Sequence, residues 1–175
     1  MLASDSYIAK HGISRAVRVV SGAEGSGPIY PPAIIDETMF SCEEAMARAY
    51  ARAGLSTKDI DFFGLYDCFP VCLIRAIEAS GLAERGRGGD FVERAYADFL
   101  QTGKVSHSLF PINTHGGLLS FGAPWETPAF YNIVEAFKQL TNSAEARQIP
   151  NARRALVYGN GGIFSASAVA ILSRQ

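Results

Sequence analysis

The sequence predicts an α/β layered domain with a mixed sheet. Short β-branched or wholly apolar runs alternate with segments of helical spacing along the 175 residues. The run TPAFYNIVEAFKQLT carries a cap at Thr127 and Pro128 in its first turn, the mark of a well-started helix. Two strand-like runs then close the chain through a glycine-rich connection, short enough only for antiparallel pairing.

Residues 16–20 (AVRVV) are β-branched and read as a strand, whereas 21–34 (SGAEGSGPIYPPAI) are rich in Gly and Pro and read as loop. From Asp36 onward, Met39, Cys42, Met46, Ala49, Tyr50 and Ala53 recur at helical spacing, and Gly54 stops the helix. Ser56 or Thr57 caps a short turn, and 60–65 is apolar enough for a buried strand. A helix follows from Pro70 and ends near Gly81. Residues 85–90 (RGRGGD) read as loop, 90–100 as a short helix and 101–117 as irregular. In the helix from Thr127, Phe130, Val134, Phe137 and Leu140 form one apolar stripe. Residues 155–158 (ALVY) form a strand, 159–162 (GNGG) turn sharply, and 164–172 (FSASAVAIL) return.

The length fits one domain, 1–175, with a sizeable core. A net charge of −1 points away from nucleic acid and from an acidic membrane surface. No apolar run approaches the ~18 residues of a bilayer span, and the N-terminus lacks the basic start and apolar stretch of a secretory signal. Three cysteines, Cys42, Cys68 and Cys72, read as reduced thiols packed as small hydrophobes in a cytoplasmic protein. His11, His107 and His115 show no ligand spacing with them, so no metal site is expected.

Chemistry concentrates in three stretches, YDCF (66–69), NTHGG (113–117) and YGNGG (158–162), each at the end of an element. Each mixes polar side chains with glycines that admit a ligand to the backbone. Asp67 is either an acid–base group or a helix cap. His115 is either a site imidazole or a loop residue, and Asn113 either a site group or a brace for its turn. Tyr66 and Tyr158 are either proton donors or core rings with a bonded hydroxyl. Trp125 reads as a packing residue.

Taken in order, these stretches resemble the thiolase superfamily, closest to its sterol-carrier-protein-type and bacterial thiolase-like branches. The family's Asn-Glu-Ala-Phe or His-Asp-Cys-Phe junction is matched by Tyr66-Asp67-Cys68-Phe69. Its Asn-x-x-Gly-Gly, four residues and Gly-His-Pro is similar to 113–117 followed by Gly122-Ala123-Pro124. Its closing Cys-x-Gly-Gly-Gly is similar to 158–162. The resemblance covers nearly the whole chain but only the second half of a thiolase subunit. It implies a layered thiolase-like unit with a mixed, roughly five-stranded sheet covered by helices, and makes the Thr127 helix the central one. It also implies an N-terminal thiolase half or subunit as partner, carrying the nucleophilic cysteine.

Ala123 stands where the family has its activating histidine, Tyr158 where it has its second cysteine, and Tyr66 where it has the Asn or His that orders an oxyanion-hole water. The resemblance implies acyl transfer on a coenzyme A thioester, which is substrate and not cofactor; no other cofactor is expected. In this reading His115, Tyr158, Asp67, Tyr66 and Asn113 are the catalytic candidates, Asn160 and Gly161 the oxyanion donors, and Gly116, Gly117 and Gly122 substrate-binding glycines. An alternative is retro-aldol cleavage of a β-hydroxyacyl-CoA, a reaction of thiolase-like steroid side-chain aldolases that work with a small OB-fold partner protein. A further alternative is a non-catalytic half-subunit.

Overall fold

The computed structural model describes residues 2–27, 40–122, 127–162 and 165–175. Helix α1 (Asp5–Lys10) precedes strand β1 (Val17–Ser26) and helix α2 (Ser41–Ala53). Strand β2 (Phe62–Leu65) leads into α3 (Pro70–Ala79) and α4 (Gly88–Thr102). A single-turn helix α5 (Leu118–Phe121) and the long α6 (Thr127–Leu140) come before strands β3 (Arg154–Gly161) and β4 (Ala166–Arg174).

The mixed α/β sheet expected from the sequence is present, with order β1-β4-β3-β2. β4 is antiparallel to both neighbours and β2 is parallel to β3. Four strands are described where roughly five were expected. The place of a fifth is held by a single parallel bridge, Phe63 to Ile112. The Phe63 N–H donates to the Pro111 carbonyl at 2.9 Å, and the Asn113 N–H donates to the Phe63 carbonyl at 3.0 Å.

The two sheet faces carry separate cores. One packs Ala45, Met46 and Ala49 of α2 and Ala76 and Ile77 of α3 against Phe63, Leu65, Leu156 and Tyr158. The other packs Ala136 and Leu140 of α6 against Phe62, Ala155, Val157 and Leu172. Strand alternation sends Leu156 and Tyr158 to one face and Ala155 and Val157 to the other.

Several expectations need correction. Residues 21–26 belong to β1 and not to a loop, because Ser21, Ala23 and Gly25 alternate inward against α2. A Cβ on Gly25 would collide with the Ser41 carbonyl, so glycine is there for close strand–helix approach. Residues 28–39, with Asp36 and Met39, lie outside the described residues, as do Ala123, Pro124 and Trp125. Helix α4 begins at Gly88, inside the expected loop, where its N–H donates to Glu78 Oε1 at 3.1 Å. Residues 159–161 continue β3, so the sharp turn comes later than expected.

The largest departure is in α6. Of its sequence stripe, Phe130 and Val134 are 62% and 50% exposed and Phe137 is also exposed, only Leu140 being buried, while Asn132, Glu135 and Gln139 are buried. The polar face turns inward because Glu135 and Gln139 find fixed partners there: Arg147 and Thr114 for the carboxylate, the Ile149 N–H and Arg147 carbonyl for the amide. Among the described residues no helix is long and apolar enough to cross a membrane.

Candidate functional site

The first two motifs meet at the end of β2. Asn113 adopts φ 45° and uses its whole amide on one residue: Oδ1 accepts the Leu65 N–H at 2.8 Å, and Nδ2 donates to the Leu65 carbonyl at 2.7 Å. The side chain thus imitates a neighbouring strand and stitches the loop to the sheet. Sequence reasoning offered it as a catalytic candidate; both its polar groups are occupied by backbone.

Asp67 is buried and accepts the Leu118 N–H at 2.8 Å. It is a helix cap, but of α5, 51 residues further on, and not of α3, which directly follows it and whose cap residue is Phe69. Gly117 makes this possible. Its φ is 75°, and a Cβ there would overlap the Asp67 carboxylate. Burial raises the Asp67 pKa, opposed by the backbone N–H of Leu118 and by His115.

Thr114 donates to Glu135 Oε1 at 2.7 Å, and Arg147 grips both Glu135 oxygens at 3.1 Å. Burial raises the Glu135 pKa, but Arg147, Thr114 and Gln139 together outweigh it and hold the carboxyl below its ordinary value. His115 sits beside this network. Burial lowers its pKa, against the pull of Glu135 and Asp67, leaving a neutral imidazole at neutral pH.

The third motif forms a different part of the surface. A cleft of about 680 Å³ opens at the ends of β1, β3 and β4, lined among others by Tyr66, Ala129, Asn160, Gly161 and Ser167. Register places Asn160 opposite Ser167 and Tyr158 diagonal to it on the same sheet face. Ser167 and Ser41 are both buried, with their hydroxyls 2.7 Å apart. Tyr158 is fully buried beneath the cleft, its hydroxyl without a well-formed hydrogen bond and with Ser167 as its polar neighbour. Burial drives its pKa well above 10, so the phenol stays protonated. The Tyr66 pKa is also raised, first by burial and then by Cys68, Cys72 and Asp67. The Asn160 Oδ1 is buried without a partner.

The structure therefore divides the sequence candidates. Tyr66, Asn160 and Gly161 share the cleft, with Tyr158 below it. Asp67, Asn113, His115 and Gly117 gather at the β2 edge and do not line it. Gly116 lies in that same loop, where its N–H donates to the Asn113 carbonyl, and Gly122 is exposed at the end of α5. Sequence reasoning missed Ser41, Ser167 and Glu135. Ser167 had a signal, a small polar residue at an inward position of an alternating strand. Among the described residues no three His, Cys, Asp or Glu side chains gather as a metal site.

The sequence profile of the family described as Thiolase C-terminal domain-like matches residues 33–174. The chain belongs to this family. Sterol carrier protein 2 of Oryctolagus cuniculus is 32% identical over 178 residues, covering 98% of the chain and 31% of that protein. Acetyl-CoA acetyltransferase of Methanothermobacter thermautotrophicus is 32% identical over 159 residues, covering 90% of the chain and 40% of that protein. A solved Ltp2-ChsH2(DUF35) aldolase shares the fold with a TM-score of 0.70 at 24% identity, covering 90% of this chain and 39% of that one. The thiolase C-terminal unit thus spans well under half the length of these relatives.

Proposed function

We propose that this chain is the oxyanion-stabilising half of an enzyme that acts at the thioester group of an acyl-CoA, completed by a second thiolase-type half. The observation that carries the reading is the cleft, which Tyr66, Asn160 and Gly161 border together. A neutral hydroxyl such as that of Tyr66, with a backbone N–H left over from the strand ladder, is the kind of donor that a thioester oxygen needs as it gains charge. Such donors act on an enolate and on a tetrahedral acyl intermediate alike, so they serve acyl transfer and carbon–carbon cleavage equally.

Nucleophile and base belong to the other half in this reading. Burial holds Cys42 at about 11 and Cys72 at about 12, too high for either to present a thiolate at neutral pH. The exposed apolar face of α6, with Phe130, Ile133 and Val134, supports docking of that half. The small exposed residues Gly22, Ala166 and Ala168 beside it leave room for a packed helix. Three free thiols fit a reducing, cytoplasmic setting.

Acyl transfer is supported by the acetyltransferase relative. Retro-aldol cleavage of a β-hydroxyacyl-CoA is the second reading, supported by the aldolase neighbour. Tyr158, held protonated by burial, does not line the cleft, so in this reading it stands behind Ser167 and is not a donor to substrate. The aldolase neighbour, whose name carries two components, makes a small OB-fold partner part of that reading. The test is to offer the full-length protein acetoacetyl-CoA with free CoA, and separately a β-hydroxyacyl-CoA. Acetyl-CoA formed from the first supports transfer; a carbonyl product from the second alone supports cleavage. Neither substrate bound or turned over, with the second half present, sinks both readings.

A further inference from the structure

The proposed reaction makes no use of the cysteines. Cys68 lies in the turn between β2 and α3, and Cys72 in the first turn of that helix. Their Sγ atoms are 3.7 Å apart, the Cys68 thiol donating to Cys72. Cys68 is partly exposed and Cys72 buried. A disulfide has an S–S bond of about 2.05 Å, so closure needs the sulfurs to approach by less than about 2 Å.

We propose that Cys68 and Cys72 are a reversible disulfide site beside the cleft, closed by a hydroperoxide. The proposal does not depend on which reaction the cleft performs. The exposed thiol reacts first. The Cys68 thiolate attacks one peroxide oxygen, the O–O bond breaks, and the other oxygen leaves as water or an alcohol after taking a proton. Cys68 is then a sulfenic acid. The Cys72 sulfur attacks the Cys68 sulfur, the S–O bond breaks, and water departs with the Cys72 proton. Two thiols lose two electrons and the peroxide gains them. Burial, reinforced by Cys68, pushes the Cys72 thiol up to about 12, so Cys72 is not the thiol that attacks first; its part rests on its sulfur lying 3.7 Å from that of Cys68.

The bond has consequences because of its neighbours in sequence. Tyr66 lines the cleft and Asp67 caps α5, both within two residues of Cys68. Drawing residue 68 toward α3 shifts both, so the site reports oxidation through its own tyrosine.

The experiment exposes the full-length protein to hydrogen peroxide, alkylates remaining thiols and digests with trypsin. Residues 59–75 form one peptide with both Cys68 and Cys72, and residues 19–48 form another with Cys42. The expected result is a 59–75 peptide lighter by two hydrogens and unalkylated, restored to double alkylation by dithiothreitol, with Cys42 still alkylated. A Cys72→Ser variant then accumulates a dimedone-reactive sulfenic acid at Cys68 that the unaltered protein does not. Added oxygen on Cys68 beside a free Cys72, two alkylated thiols after oxidation, or a bridge to Cys42 overturns the proposal. The peptide mass of the unaltered protein decides the matter even where the variant fails to fold.

Discussion

Asp67 joins two motifs that lie far apart in sequence, and its chemistry can be read from stability. Removing its acceptor leaves the Leu118 N–H unpaired and buried, so Asp67→Ala is expected to cost about 1–2 kcal/mol in denaturant unfolding. Asp67→Asn keeps an acceptor without a buried charge. The folded pKa of Asp67 lies above its ordinary 3.8, so its ionisation destabilises the fold as pH rises from about 3.8 through the folded value. The stability difference between Asp67→Asn and the parent should grow in the variant's favour across that acid window and level off above it. His115 has the opposite sign of proton linkage. Its folded pKa lies below the ordinary 6.5, so the unfolded chain takes up a proton first as pH falls below 6.5. Stability should fall with acidification from that point, and His115→Gln should remove this part of the slope.

At the scale of elements, α2, α3 and the Thr127 helix could be read from spacing, caps and breakers, because those signals are local. The long β1 could not. Its Gly25 looks like a loop residue until α2 is packed against it, and only the tertiary contact explains the choice. Gly25→Ala should therefore destabilise by about 1–3 kcal/mol, the range of overpacked cores, measured by thermal or urea unfolding. The buried face of α6 was hidden for a related reason. Periodicity finds an apolar stripe but cannot say which layer it faces, and here the inner face mixes Ala136 and Leu140 with polar residues tied to Arg147 and Thr114. In the candidate site, Tyr66, Asn160 and Gly161 could be picked out by motif, whereas Ser167 and Ser41 meet across 126 positions of sequence. The cap role of Asp67 could be anticipated; its true helix could not, since the partner lies 51 residues away.

At the scale of the whole molecule, α6 turns Phe130, Ile133 and Val134 outward while Ala166 and Ala168 of β4 are exposed too, which is how a unit built to receive a second layer would look. Val134→Lys should change the unfolding free energy of this unit by no more than about 0.5 kcal/mol, as is usual for exposed positions. The same change should weaken assembly with the second half, read by co-purification or by sedimentation. The cleft makes the sharper demand. If Tyr66 donates to the thioester oxygen as charge develops, its hydroxyl matters more in the transition state than in substrate binding. The most direct measurement is kcat and KM of the full-length protein and of Tyr66→Phe on the acyl-CoA it turns over. The account predicts kcat lower by roughly a hundredfold with KM nearly unchanged, the signature of a lost oxyanion donor. An unchanged kcat, with the variant folded and assembled, would contradict it.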